Sequence, residues 1–168
     1  MNPRAQALAA ALEGGADALA RFAGKLTDTE WQTPLPGDGR KVGVVVHHVA
    51  SIYPLEIELA LKLAAGGAIT DLGWNDVHAL NAGHARDNDK VTREEALALL
   101  RTNAAAAAAA IRALSDAALD RVAPNSLYDG APLTCQFMLE DHAVRHSVHH
   151  LAVIRAAVEN RKGAALAG

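Results

Sequence analysis

Hydrophobic positions recur every three or four residues along most of the chain, the period of helices that bury one face. Leu8, Ala11, Leu12, Leu19 and Phe22 keep this spacing over residues 3–23, with Pro3 suited to a first turn and Gly14–Gly15 weakening the middle. A second stripe runs through Val44, Val45, Ile52, Leu55, Leu59 and Leu63 and predicts a helix over residues 41–65. Its valine-rich start is compatible with a strand by period alone, but the stripe continues too far for one. Pro54 lies inside this helix and is expected to kink it. A shorter helix fits residues 75–86, a fourth residues 92–114, and a last long one residues 133–159.

Polar and breaker residues mark the joints. "LTDTEW" pairs Thr27 with Glu30, and "VTREE" pairs Thr92 with Glu95; both match the reciprocal capping pattern of a helix start. "TPLPGDGR" is the strongest breaker cluster, "SDAALDR" reads as a short turn, and "APNSLYDGAP" as a loop. Four long helices with short extra pieces predict an all-α chain, a four-helix bundle forming a single domain over residues 1–168.

Composition supports this. Hydrophobic residues make up 51% of the chain but aromatics only 4%, a mix dominated by Ala and Leu, which favour helices over strands. Ala104–Ala110 is a low-complexity run, yet its small side chains suit close helix approach. The net charge of −3 comes without a basic block, so nothing favours a nucleic-acid partner. The N-terminus lacks the apolar core of a signal peptide, and no apolar run reaches the ~18 residues of a membrane helix, so a cytoplasmic chain with no membrane partner is expected. Cys135 is the only cysteine, which excludes an internal disulfide and a cysteine-based metal cluster; a small buried filler is expected there. Trp31 and Trp74, near helix ends, are expected to cover the core.

The histidines change the picture. Of eight, four lie between His142 and His150, and two form the pair His47–His48. On a wheel of about 100° per residue, His48 falls inside the apolar stripe of its helix, while His47 falls on the polar flank with Gly43, Ser51 and Glu58. On the last helix Leu139, Ala143, Ile154 and Ala157 bracket His146 and His150, whereas His142 and His149 lean toward Asp141, Arg145 and Asn160. Two imidazoles four apart lie on one face and can chelate one ion; a third from a facing helix would complete a three-histidine site with open positions. A lone histidine on an apolar face is commonly a hydrogen-bonded core residue, and that alternative stands for each taken singly. Together they point to a metal, because three unpaired buried imidazoles are costly.

Glu140 and Ser147 fall on the apolar side of the last helix, and Glu56 on that of the second. A buried carboxylate needs a partner; a ligating histidine's ring N–H would serve, and so would an arginine. Asn81 and His84 share a face with Val77 and are candidates for the pocket wall, as hydrogen-bond donors or a general base, or else sit on an exposed polar face. Glu140, His84 and Asn81 are thus the candidates for a catalytic role.

"VGVVVHHVAS", followed about a hundred residues later by "RHSVHHLAVI", resembles the DinB/YfiT-like superfamily of bacterial metalloproteins. "LTDTEW", "GRKVGVVVHHVA", "LNAGHA", "LSDAALDR" and "PLT" fall in the order expected of it, over most of the chain. The resemblance implies an up–down–down–up bundle in which one histidine of the second helix and two, four apart, on the last hold a divalent ion. Carried over, these are His48, His146 and His150, the set the wheel selects. Arg40 stands where many relatives carry a tryptophan near the start of the second helix. The resemblance further implies Zn or Ni as the metal. It also implies a thiol-dependent S-transferase or a hydrolase acting on a small-molecule substrate, with a low-molecular-weight thiol as a second cofactor. The alternative is a non-catalytic, metal-stabilised binding protein. The exposed face of the alanine-rich helix offers a surface for a homodimer.

Overall fold

The computed structural model describes residues 2–166. The helices are α1 Pro3–Ala23, α2 Asp28–Trp31, α3 Val42–Ala64, α4 Trp74–Asp87, α5 Arg93–Arg112 and α6 Asp116–Leu119. Strands β1 Val122–Asn125 and β2 Ala131–Thr134 follow, and the chain ends in α7 Cys135–Met138, a π-helical segment Leu139–Val144 and α8 Arg145–Leu166. The caps form as their residues dictate. Asn2 accepts from Arg4 N at the start of α1, and both reciprocal boxes, Thr27 with Glu30 and Thr92 with Glu95, close.

Contacts between named pairs fix the directions. Arg112, at the end of α5, bonds Gln6 and Glu13 near the start of α1, so these two helices run antiparallel. Lys41 reaches Asp89, and Asn103 reaches Ala50, so α3 and α5 run parallel. Gly15 faces Ser147 and Phe22 faces Arg155, so α1 and α8 also run parallel. The bundle is therefore up–down–down–up, with α5 and α8 each packed against both α1 and α3.

Close approach depends on small residues. A Cβ on Gly15 would lie 2.6 Å from Ser147 Oγ, so only glycine lets α1 and α8 meet there. Gly15 is thus the seat of α8 rather than a defect in α1. Ala104, Ala107 and Ala108 of the alanine run are buried, which brings α5 onto its two neighbours. Pro54 leaves the Ala50 carbonyl without its helical donor, and Asn103 Nδ2 supplies one at 2.8 Å. The helix accordingly continues through the proline without interruption.

Three expectations need correction. "APNSLYDGAP" is an antiparallel hairpin, not a loop; Asp129 and Gly130 take positive φ at its tip. The hairpin consumes Leu133, so the last long helix begins at Cys135, where Thr134 caps it, and not at residue 133. And α3 is long and apolar enough by composition to cross a membrane, contrary to the estimate from runs alone. In the bundle it is the central core helix, with Val45, Val46, Val49, Ala50 and Tyr53 fully buried.

Candidate metal centre

The stripe of α3 carries His48 inward to 5% exposure, opposite the histidines of α8. His48 meets His146 at a ring separation of 5.1 Å and His150 at 5.6 Å, and His146 and His150 stand 4.8 Å apart. One nitrogen from each ring lies within 4.8 Å of the other two. The wheel's set of three is thus brought to one point from two helices.

Burial and the mutual repulsion of the cluster push the His48 ring down to about 2 and the His150 ring down to about 3, burial being the larger cause for both. Both rings are neutral near pH 7, which is the form that coordinates metal. Glu56 of α3 is buried, and its Oε1 lies 2.6 Å from His146 Nδ1. A carboxylate only accepts, so His146 donates from Nδ1 and keeps the Nε2 lone pair for the centre. Glu56 Oε2 is buried with no hydrogen-bond partner. A buried carboxylate held by one bond favours positive charge nearby. An ion held by the three histidines would supply it, so the residues present fit a divalent metal.

Of the other candidates, Asn81 lines the cavity beside the centre. His84 meets His48 edge-on at 5.5 Å, and its Nε2 lies 2.8 Å from His47 Nδ1. His47 is thereby separated from its neighbour His48: it pairs with α4 rather than joining the cluster. Glu140 is not on the buried side; it is exposed and accepts from Gln136. The π segment explains the difference. Its i→i+5 bonding takes about one more residue per turn, so each residue rotates by less than a straight helix allows. Over residues 139–144 that turns Glu140 outward and brings Asp141 and His142 round to the cavity.

That cavity, about 420 Å³, also brings in residues that carry no local signal for the site. Tyr128 at the hairpin tip donates its hydroxyl to Asp141 Oδ2, and its Oη lies 3.1 Å from His142 Nε2. Since Tyr128 spends its one proton on a carboxylate, His142 donates from Nε2 and keeps a lone pair on Nδ1. Burial, first, holds the His142 ring below its ordinary value. The hairpin is tied down through Trp74 Nε1 to the Leu127 carbonyl and Ser126 Oγ to the Leu72 carbonyl. Trp74 therefore does not cover the core as expected; it is half exposed at the cavity rim, whereas Trp31 is buried over Gly43. Arg40 also borders the cavity, its Nε and Nη2 held by Asp38. Cys135 is buried, as a filler should be, and burial pushes its thiol up to about 11.

Comparison with known proteins gives the frame for this geometry. Residues 11–154 match the family model of the DinB superfamily. Among solved structures, YfiT from Bacillus subtilis, described as a probable metal-dependent hydrolase with an unusual four-helix bundle topology, superposes with a TM-score of 0.75. The two share 24% identity over 94% of this chain and 87% of that one. No curated protein sequence matches the chain.

Proposed function

The chain belongs to the DinB superfamily, and from that premise we propose that it is a metal-dependent enzyme acting on a small molecule. The observation that carries this is the meeting of His48, His146 and His150 within 4.8 Å, with Glu56 bonded behind His146. The three rings would hold a divalent ion, Zn or Ni, and leave positions open because no fourth protein ligand converges on them among the described residues. Held there, a divalent ion would supply Lewis acidity toward water or a low-molecular-weight thiol.

The chain's own groups favour hydrolysis as the first reading, with thiol transfer the second. His142 lines the same cavity with a free Nδ1 lone pair, which suits it to take the nucleophile's proton. Tyr128 and Asp141 hold that ring in one tautomer. Any thiol must come from outside, since Cys135 is buried and does not line the cavity. Asn81, on the cavity wall, would orient a substrate.

The test is elemental analysis of chain purified without a nickel column, as wild type and as His150→Ala. About one ion per chain, lost in the variant, is expected. No ion in the wild type after incubation with Zn²⁺ and Ni²⁺ would overturn the proposal.

A further inference from the structure

α4 is a helix with no buried residue, although it carries Trp74, Val77 and Leu80 on one side. An amphipathic helix in a folded chain normally lays its apolar side on the core. Here that side borders the cavity instead, and Trp74 and Leu80 are about half exposed. Across the cavity stand Ile52, Leu55 and Leu59 of α3, none of them fully buried. Apolar rows from two helices thus line one space of about 420 Å³, a size that takes a small molecule and excludes a folded partner. The polar lining comes mostly from the π segment and α8, with His48 and Glu56 of α3, Arg40 and Asn81 adding to it.

From this asymmetry we infer that the ligand is amphipathic: an extended apolar body lying between α3 and α4, with one polar head group delivered to the histidine centre. The inference deepens the metal-dependent reading and rests on it for the head group alone. The body is recognised by burial of apolar area, which is independent of the ion. The half-exposed side chains of α4 are then the part of the site that the ligand completes.

Straight-chain hydroxamic acids test this, because their head group binds metal and their tail can be lengthened. Acetohydroxamate, hexanohydroxamate and octanohydroxamate are titrated calorimetrically into zinc-loaded and zinc-free chain. Affinity should rise roughly three- to fourfold per added methylene until the cavity is filled, the gain expected for burying that group. The rise should survive in zinc-free chain at weaker overall affinity. In Val77→Ser/Leu80→Asn the rise should flatten while acetohydroxamate binds as before; both positions are unburied, so the fold is retained. Affinity independent of tail length in both forms would overturn the inference, as would a rise that the double variant leaves intact. So would a dimer whose interface covers Leu80, since a second copy would then be the occupant. If zinc fails to bind but the tail dependence holds, the metal reading fails and this inference stands.

Discussion

The π segment Leu139–Val144 and the first turns of α8 are successive stretches of one rod, yet they present their side chains by different rules. In α8 the spacing of four puts His146 and His150 on the face that meets His48, as a regular helix requires. In the π segment Leu139 and Ala143 keep the buried face, but Glu140 turns to solvent, and Asp141 and His142 line the cavity. The regular stretch holds the candidate ligands. The irregular one brings in the groups that can handle a proton. Irregular backbone at a site is a recurring use of π turns.

Breaking the regular stretch should have the largest effect. His150→Ala, and equally His48→Ala, should abolish stoichiometric metal binding, read by elemental analysis. Acid should come next. His48 and His150 titrate at about 2 and about 3 in the folded chain but near 6.5 when unfolded, so between these values the unfolded state binds more protons. Stability of metal-free protein should therefore be full above about pH 6.5 and fall as the pH drops below it, by an amount on the order of several kcal/mol for the two rings together. Denaturant midpoints at pH 7.5 and pH 5 check the direction; a midpoint higher at pH 5 would contradict it.

Behind the ligands, Glu56→Gln should weaken metal affinity about 10–100-fold, because the neutral amide orients His146 but adds no charge. Competition with a chelating dye reads this. In the irregular stretch, Tyr128→Phe should cost about 1 kcal/mol of stability. It should also release His142 from a single Nε2–H tautomer into a mixture, visible in imidazole ¹⁵N shifts. An unchanged tautomer would mean that the hairpin tip does not position His142. The smallest effect is expected at the neighbouring acid. Glu140→Gln should change stability by less than ~0.5 kcal/mol and leave metal content as it is. A loss of metal there would return Glu140 to the site and undo the contrast between the two stretches.

Much of the bundle was legible because its signals are local. The limits of α1 and the two capping boxes follow from residues three or four apart. His48 was separable from His47 because the stripe of α3 is regular. Other features had no local signal. "SLYDG" carries turn residues, but nothing in it says that its tyrosine will meet Asp141 and His142. Trp74 is a large apolar residue at a helix start, and only the position of α4 leaves it at a cavity rim. His84 bonds His47, a partner 37 residues away.

By itself, then, the sequence determined which segments are helical, which of their faces are apolar, and that three histidines belong to those faces. Helix period and caps are short-range properties, and every copy of the stretch carries them. Tertiary structure alone decided that Glu56 rather than Glu140 backs His146, that a hairpin roofs the cavity, and that α4 turns its apolar side to open space. Those outcomes depend on how one rigid element packs on another. Within one π segment Leu139 and Ala143 stay buried while Glu140 turns to solvent, a difference that helix period alone does not foretell.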